Sequence, residues 1–493
     1  MKALLLPITF AVWTATATAA AFPVTNVQQA GPSTQRFNVA ILGDGYRAAD
    51  QAKLTSDAKA LVNALFVDTP YKPYRQLFNF KVIQSVSVDQ GAKGGSVGGT
   101  PNTLFSAYYN CEGVSQLVCI DSGAVLAAAA ADVPEFDLAV VVVNDDLYGG
   151  SGGSVPVVST NSGASEILRH ELGHNLANLA DEYQSAYPGY PACSASKDCS
   201  EPNVTMRSAR AQIKWLDWIL DSTPVPTAAG KGFAGVGLFE GARYMSTGFY
   251  RPVDTACKMQ SLGQPFCPVC AEALVRSFWN LANVHLIDEA VPATDVVSSK
   301  CVAETFSVKT PAIAPSTLNF AWSVDDQLQT ETGASLELAA GEVAAGPHSI
   351  VVTVNDSTQL VRSDPDGVLT ETHTFKYTAP PCKADAGAGG GGAGNGGNAG
   401  NAGASVTEVG SAGSAGTPSA GMSAGGTGGD SVSSAGSGNS GPTGTAPPPA
   451  ERIGCNCRMT ERTGSGRPLF FVALLGAAGV MRRRRSVSRR QRG

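Results

Sequence analysis

The sequence predicts an α/β domain, built on a mixed twisted sheet with one central helix, followed by a small all-β sandwich domain. Three observations support this fold class. Short runs at residues 37–42, apolar except for Asn38, and at residues 138–143, wholly apolar, indicate buried strands. Apolar residues at helical spacing lie between them, at residues 49–66. After about Asp288 apolar and polar residues alternate between turn residues, which is typical of antiparallel strands.

The first domain is expected to span residues 22–288. In chain order its predicted elements are a strand at 37–42, a helix at 49–66, strands at 78–86 and 138–143, a glycine-rich loop at 149–153, an edge strand at 155–159 and a helix at 162–179. An edge strand just before the last helix could pair with an extended polypeptide. Ser162 and Ser165 are the candidate N-cap residues of that helix.

The second domain is expected over residues 300–382. Its alternating segments lie at 318–324, 335–338, 348–354 and 372–377. A disulfide between Cys301 and Cys382 would close this domain. It carries no catalytic motif, so we expect it to act as a spacer or in adhesion.

The last predicted helix of the first domain carries the motif His170-Glu171-Leu172-Gly173-His174. Residues four apart share one helix face, so His170 and His174 can offer imidazole nitrogens to a single zinc ion. Glu171 is next to the first ligand and can act as general base toward a water molecule. The chain contains only 5 histidines, so this spacing is unlikely to be accidental. It predicts one catalytic Zn²⁺.

A catalytic zinc ion usually has three protein ligands, so a third is needed. Asp181 is the preferred candidate, provided that the chain turns near Asn178 and brings it back to the histidines. Glu182 is the alternative, and either carboxylate could instead support the histidines through hydrogen bonds. His285 is a more distant candidate. For stabilising the oxyanion the sequence offers three tyrosines without distinguishing between them, namely Tyr183, Tyr244 and Tyr250.

The 11 cysteines suggest three local disulfides. These pairs are Cys111 with Cys119, Cys193 with Cys199, and Cys301 with Cys382. Cys257, Cys267 and Cys270 form a further cluster of three. In an oxidising compartment we expect a disulfide within this cluster, and a second zinc site at Cys267 and Cys270 is the less favoured alternative.

The two ends of the chain predict export and attachment to the cell envelope. Residues 1–21 have the charged start, apolar middle and small-residue end of a signal peptide, although an uncleaved anchor has a similar pattern. Residues 383–450 consist mainly of glycine, alanine and serine, which predicts a disordered stalk. Residues 451–493 combine two cysteines, a short apolar run and an arginine cluster. This last segment resembles the C-terminal surface-sorting tails of myxobacterial exported proteins, and a simple transmembrane tail anchor is the alternative.

The formal charge of −6 includes seven arginines at residues 482–493, and without them it is −13. Such an acidic chain argues against nucleic acid as a partner. We expect a monomer whose partner is an extracellular protein or peptide.

The motif His170–His174, followed by Leu179-Ala180-Asp181-Glu182-Tyr183, resembles the signature of the bacterial IgA peptidase family of metallopeptidases. The segments Ile41–Tyr46, Tyr250–Pro252, Cys257–Met259 and Phe266–Cys270 also fit this family. The resemblance implies a zincin-like fold, endopeptidase activity, two histidine ligands and Glu171 as the catalytic residue. It also makes Met259 a candidate for the methionine turn beneath the zinc site.

One position departs from related zinc motifs, where a glycine often follows three residues after the second histidine. That position is Ala177 here, and the neighbouring Asn178 tolerates the left-handed turn that the bend needs. The family's name refers to IgA, but the resemblance does not imply that IgA is the substrate of this protein. We therefore predict a secreted, cell-surface zinc endopeptidase. The alternatives are a surface adhesin on a degenerate peptidase scaffold and a zinc amidase acting on cell-wall crosslinks.

Overall fold

The computed structural model describes residues 21–194 and 196–382. The predicted stalk, the sorting tail with its apolar run, and the signal peptide up to residue 20 lie outside the described residues. Within the described ranges, no helix has both the length and the apolar character needed to cross a membrane.

The described residues form a mixed α/β structure with several sheets and few helices. The α-helices are α1 (Gln51–Leu65), α2 (Ser122–Asp132), α3 (Ala164–Ala177) and α4 (Pro268–Asn280). Strands of the first part are β1 (Val24–Gln28), β2 (Phe37–Asp44), β3 (Phe78–Ile83), β4 (Leu138–Val143), β5 (Gly150–Ser151), β6 (Val157–Ser159), β7 (Phe239–Ala242) and β8 (Met245–Arg251). Those of the second part are β9 (Glu289–Val291), β10 (Val296–Val297), β11 (Glu304–Lys309), β12 (Leu318–Val324), β13 (Gln327–Leu328), β14 (Ser335–Leu338), β15 (Gly346–Asp356) and β16 (Thr370–Ala379). Short 3₁₀ helices lie at Ser33–Gln35, Ala48–Asp50, Lys72–Leu77, Cys111–Gly113, Arg210–Gln212 and Leu216–Trp218.

The first part is organised around a six-stranded sheet with the order β1-β3-β2-β4-β6-β5. The four inner strands are parallel, and β1 and β5 pair antiparallel at the two edges, so the sheet is mixed. Every residue of β2 and β4 is buried, as their predominantly apolar sequences predicted. Alternate residues of β4 face opposite layers: Val140 joins the core shared with α1 and α3, whereas Val141 joins the core shared with α2.

Two predictions for the segment before α3 are wrong. The predicted edge strand at 155–159 is shorter and lies inside the sheet, because β6 pairs with β4 on one side and β5 on the other. The edge strand is β5, and the outer side of Gly150 already bonds to Gln116 and Val118 of the same chain. Its backbone is therefore occupied at that position rather than open to another polypeptide.

The predicted serine caps of α3 are also wrong. The N-cap residue is Gly163, and no side chain caps this end of the helix. The turn into the helix is instead formed by Asn161, whose side-chain oxygen accepts a 3.0 Å hydrogen bond from the Gly163 N–H.

The second part forms a five-stranded sheet, β10-β16-β15-β12-β13, and a three-stranded sheet, β14-β11-β9. Aromatic side chains connect the two sheets, since the Phe306 ring of β11 lies 5.3 Å from the Phe375 ring of β16. This part also packs against the first through a buried carboxylate. Asp356, at the end of β15, accepts hydrogen bonds of 2.8 Å from the Tyr74 hydroxyl and from the Trp279 indole.

The three predicted disulfides are confirmed by the cysteine pairing. The pairs are Cys111–Cys119, Cys193–Cys199 and Cys301–Cys382. The disulfide expected within the remaining cluster is wrong, because Cys257, Cys267 and Cys270 are all free thiols. The sulfur atoms of Cys257 and Cys270 lie 3.6 Å apart, which is too far for a bond between them.

Candidate active site

Helix α3 presents the histidine motif from beneath the sheet. His170 and Glu171 are fully buried on the inner side of the helix, and His174 is partly buried one turn later. The helix ends at Ala177 because Asn178 adopts a left-handed conformation with φ of 50°. The turn expected near Asn178 is therefore present.

This turn brings Asp181 back to the histidines. The Nε2 atoms of His170 and His174 lie 3.2 Å apart. Asp181 Oδ1 lies 3.0 Å from the first of these nitrogens and 3.5 Å from the second, without forming a hydrogen bond to either. Three donor atoms thus converge on one point in a buried position.

The spacing of these atoms fits a tetrahedral zinc ion. With ligand distances of about 2.0–2.1 Å, neighbouring donor atoms of such a site lie about 3.3–3.4 Å apart. The three separations of 3.0, 3.2 and 3.5 Å bracket that value. A buried carboxylate oxygen without a hydrogen bond is costly, and a cation at this point would satisfy it.

Backbone carbonyls orient both imidazole rings. His170 Nδ1 donates to the carbonyl of Lys258 at 3.1 Å, and His174 Nδ1 donates to that of Leu179 at 2.6 Å. The Nδ1 protons are therefore held by the backbone, and both Nε2 atoms point toward Asp181. Metal-ligating histidines are commonly oriented in this way.

The charges of the site shift the pKa values of the two histidines and of Asp181. Burial acts to lower the pKa of His174, but the Asp181 carboxylate and the neighbouring Glu171 raise it to about 9. The pKa of His170 is raised for the same reason, against a similar burial effect. Burial acts to raise the pKa of Asp181, and the two histidines outweigh it, so that the pKa lies below its ordinary value.

The structure separates the residues that the sequence left open as third ligand. Asp181 faces the histidines, whereas the next residue, Glu182, faces away from them and accepts a 3.0 Å hydrogen bond from the Asn203 side chain. His285 lies at the surface, 3.8 Å from a carboxylate oxygen of Glu371.

The three candidate tyrosines have different positions. The Tyr244 hydroxyl donates a 2.9 Å hydrogen bond to Asp181 Oδ2. Tyr183 stacks on the His170 ring, with 6.5 Å between the ring centroids. Tyr250 lies in β8, where its backbone pairs with Thr205.

A cavity opens beside Glu171 and His170. Its wall includes Tyr183, Tyr148 and the glycines that follow Tyr148. Sequence reasoning missed Tyr148. The signal available for it was its position directly before the glycine-rich loop, but nothing in the sequence indicated that this loop borders the histidines.

Met259 lies beneath the motif, as the family resemblance suggested. It is fully buried, and a Cβ added to Gly173 would come within 2.9 Å of its sulfur. The glycine of the motif therefore allows Met259 to approach the helix closely. The Met259 carbonyl also accepts a 2.8 Å hydrogen bond from the Glu182 N–H.

A mixed α/β fold carrying this site is compatible with a peptidase domain. Residues 25–234 match the family described as IgA Peptidase M64, which confirms the resemblance to this peptidase family seen in the sequence. The matched segment includes the residues from His170 to Tyr183 and ends before Tyr244 and Cys257.

Comparison with solved structures adds little. The fibronectin(III)-like modules of CbhA from Clostridium thermocellum are 13% identical over 18% of this chain and 91% of that chain, with a TM-score of 0.13. CopC from Methylosinus trichosporium is 16% identical over 20% of this chain and 96% of that chain, also with a TM-score of 0.13. At such TM-scores neither similarity supports a statement about fold or function. No curated protein matches the chain.

Proposed function

We propose that this protein is a zinc-dependent endopeptidase with a zincin-like catalytic domain. The observation that carries the proposal is the convergence of His170, His174 and Asp181 within 3.5 Å of one another, next to Glu171 and a cavity. The match of residues 25–234 to the peptidase family supports the reaction class.

The ion would be held by the Nε2 atoms of His170 and His174 and by Oδ1 of Asp181. When bound there, zinc supplies Lewis acidity, which polarises a carbonyl group and lowers the pKa of a water molecule. Nitrogen and carboxylate donors of this kind suit zinc in catalytic sites, which keep a fourth position open.

Glu171 is proposed as the general base. Its carboxylate lines the cavity beside His170, where a substrate carbonyl and a water molecule would meet. A carboxylate oxygen of Glu171 takes a proton from the attacking water and later delivers it to the leaving amine. The burial of Glu171 keeps bulk water from competing for that proton.

Two tyrosines are proposed for stabilising the oxyanion. Tyr148 and Tyr183 both line the cavity that contains Glu171. Tyr244 is assigned a different role, because its hydroxyl already donates to Asp181. Its hydrogen bond orients the carboxylate toward the histidines.

We also propose that the enzyme is exported and acts at the cell surface as a monomer on extracellular proteins or peptides. The three disulfides support an oxidising compartment. Residues 300–382 would form the β-sandwich that spaces the catalytic domain from the envelope.

The test is cleavage of an unfolded protein by the purified chain and by a Glu171→Gln variant. Glu331→Gln, at an exposed position of the second part, is the matched control. We expect Glu171→Gln to retain zinc and to lose activity by at least about a hundredfold, because general acid–base catalysis contributes about 10²–10⁴-fold. The control should cleave normally.

Equal cleavage by Glu171→Gln and the unchanged chain would contradict the mechanism. Zinc binding without cleavage of any protein would favour the amidase alternative. A chain that binds no zinc at the histidines would favour the adhesin.

A further inference from the structure

A second cluster of metal-binding side chains lies behind the active site. It consists of Cys257, Cys267, Cys270 and Glu182, none of which is more than 1% exposed. One donor atom from each lies within 4.8 Å of all the others. The mechanism proposed above uses none of these four side chains.

The spacing of the sulfur atoms fits shared coordination rather than a disulfide. The Cys257 and Cys270 sulfurs are 3.6 Å apart. In a tetrahedral zinc–thiolate site with Zn–S distances of about 2.3 Å, neighbouring sulfurs lie about 3.8 Å apart. A disulfide would bring them to about 2.05 Å.

Glu182 supplies an independent observation. Its Oε1 accepts hydrogen bonds from Asn203 and from the Cys270 thiol, whereas its buried Oε2 has no hydrogen-bond partner. A buried carboxylate oxygen without a hydrogen-bond partner is unfavourable, because it has lost its hydration without gaining a replacement. A bound cation at the cluster would remove that cost.

We propose that Cys257, Cys267, Cys270 and Glu182 bind a second, structural zinc ion. Three thiolates select zinc over magnesium or calcium, which prefer oxygen ligands. Four protein donors and complete burial leave no position for substrate, which is typical of structural sites. The cluster is thus chemically distinct from the histidine site.

The second centre would hold the segments that build the first. Glu182 is the direct neighbour of Asp181, and the Glu182 N–H bonds to the Met259 carbonyl at 2.8 Å. Lys258, next to Cys257, accepts the hydrogen bond that orients His170. Zinc at the cysteines would therefore position both Asp181 and His170.

Metal content of the full chain tests the proposal. The chain is expressed with zinc supplied and with Cys455 and Cys457 replaced by serine, so that only the described cysteines contribute. We expect one zinc ion at the cysteines and one at the histidines. A His170→Ala/His174→Ala variant leaves the cysteine cluster unchanged and should retain one zinc ion. A variant that retains none would overturn the proposal.

Cobalt provides the spectroscopic readout. Cobalt bound to the same double-histidine variant should give a thiolate-to-metal charge-transfer band in the near ultraviolet, and Cys267→Ser should weaken it. Absence of the band from the double-histidine variant would contradict thiolate ligation. This result is independent of peptidase activity, so a failure of the proposed function leaves it intact.

The state of the thiols separates the metal site from a disulfide, and it requires no variant within the cluster. The chain is denatured with a chelator and an alkylating reagent, without reductant, and its peptides are then mapped. We expect alkylation of Cys257, Cys267 and Cys270. A disulfide between any two of them would overturn the proposal.

Discussion

The hydroxyl of Tyr244 donates a 2.9 Å hydrogen bond to Oδ2 of Asp181, on the opposite side of the carboxylate from the histidines. The tyrosine lies in a turn with a φ of 58°, and its backbone N–H donates a 3.0 Å hydrogen bond to the Tyr183 carbonyl, which holds it in place. It therefore orients Oδ1 of Asp181 toward the two imidazoles.

Removing this hydroxyl should weaken zinc binding. We expect Tyr244→Phe to fold normally and to lose about 10- to 100-fold in zinc affinity, since hydrogen bonds to metal ligands typically contribute that much. Chelator competition measures the affinity. Tyr187→Phe is the control, because the exposed Tyr187 ring contacts Tyr244 but does not bond to Asp181 in the described hydrogen bonds. Equal affinities for the two variants would contradict the orienting role.

Zinc binding at the histidines should depend on pH. In the metal-free chain the pKa of His174 is about 9, raised from 6.5 by charges that outweigh its burial. A ligating imidazole must be neutral, so protons compete with zinc below this pKa. We expect the apparent affinity to fall by about tenfold per pH unit for each proton displaced. Calorimetry in buffers of different ionisation enthalpy measures the protons released, and a pH-independent affinity would contradict the assignment.

The same shift predicts how the metal-free chain loses stability. Because the pKa of His174 is higher in the folded chain than in the unfolded chain, protonated His174 stabilises the folded state. This stabilisation is complete below pH 6.5 and is lost as the pH rises through about 9. The melting temperature of the metal-free chain should therefore decrease across that range. His174→Ala should lack this component, whereas His285→Ala, at the surface, should retain it.

The left-handed turn at Asn178 should tolerate glycine but not a β-branched residue. Asn178→Gly should leave the free energy of unfolding nearly unchanged. Asn178→Val should lower it by about 1–2 kcal/mol, because a β-branched side chain is strained at φ of 50°. Urea unfolding measures both. The valine variant should also bind zinc more weakly, since the next carbonyl, that of Leu179, holds His174.

Asp356 should be a major contributor to stability, because it connects the two parts of the chain. Asp356→Ala leaves the buried Tyr74 hydroxyl and Trp279 indole without their acceptor, at about 1–3 kcal/mol for each. Denaturant titration measures the loss. Asp366→Ala removes an exposed ion pair with Arg276 and should cost less than about 1 kcal/mol. Comparable losses in both variants would contradict this role.

The buried strands and the histidine helix could be predicted from the sequence because their signals are local. The wholly apolar run at residues 138–143 coincides with β4, and the helix predicted over 162–179 is α3. The periodicity of the apolar residues reports on these elements directly. The turn near Asn178 was equally accessible, since few residue types adopt that backbone conformation.

The contacts that complete the site could not be predicted in this way. Tyr244 meets Asp181 across 63 positions, and Cys270 meets Glu182 across 88. No periodic pattern connects such distant residues. Whether Asp181 or Glu182 faces the histidines depends on the backbone dihedral angles after Asn178. Secondary-structure propensities do not specify these angles. The prediction of a disulfide among Cys257, Cys267 and Cys270 was wrong because it relied on the expected oxidising compartment. The redox compartment does not specify the distances between the sulfur atoms.

The Cys301–Cys382 disulfide has a mechanical consequence. It joins residues 81 positions apart and encloses strands β11 to β16 in one covalent loop. Tension applied to the chain after Cys382 would pass through the sulfur–sulfur bond directly to Cys301, without loading the hydrogen bonds of the enclosed strands. A pull on that end would therefore be carried toward the first part of the protein, while β16 remains paired.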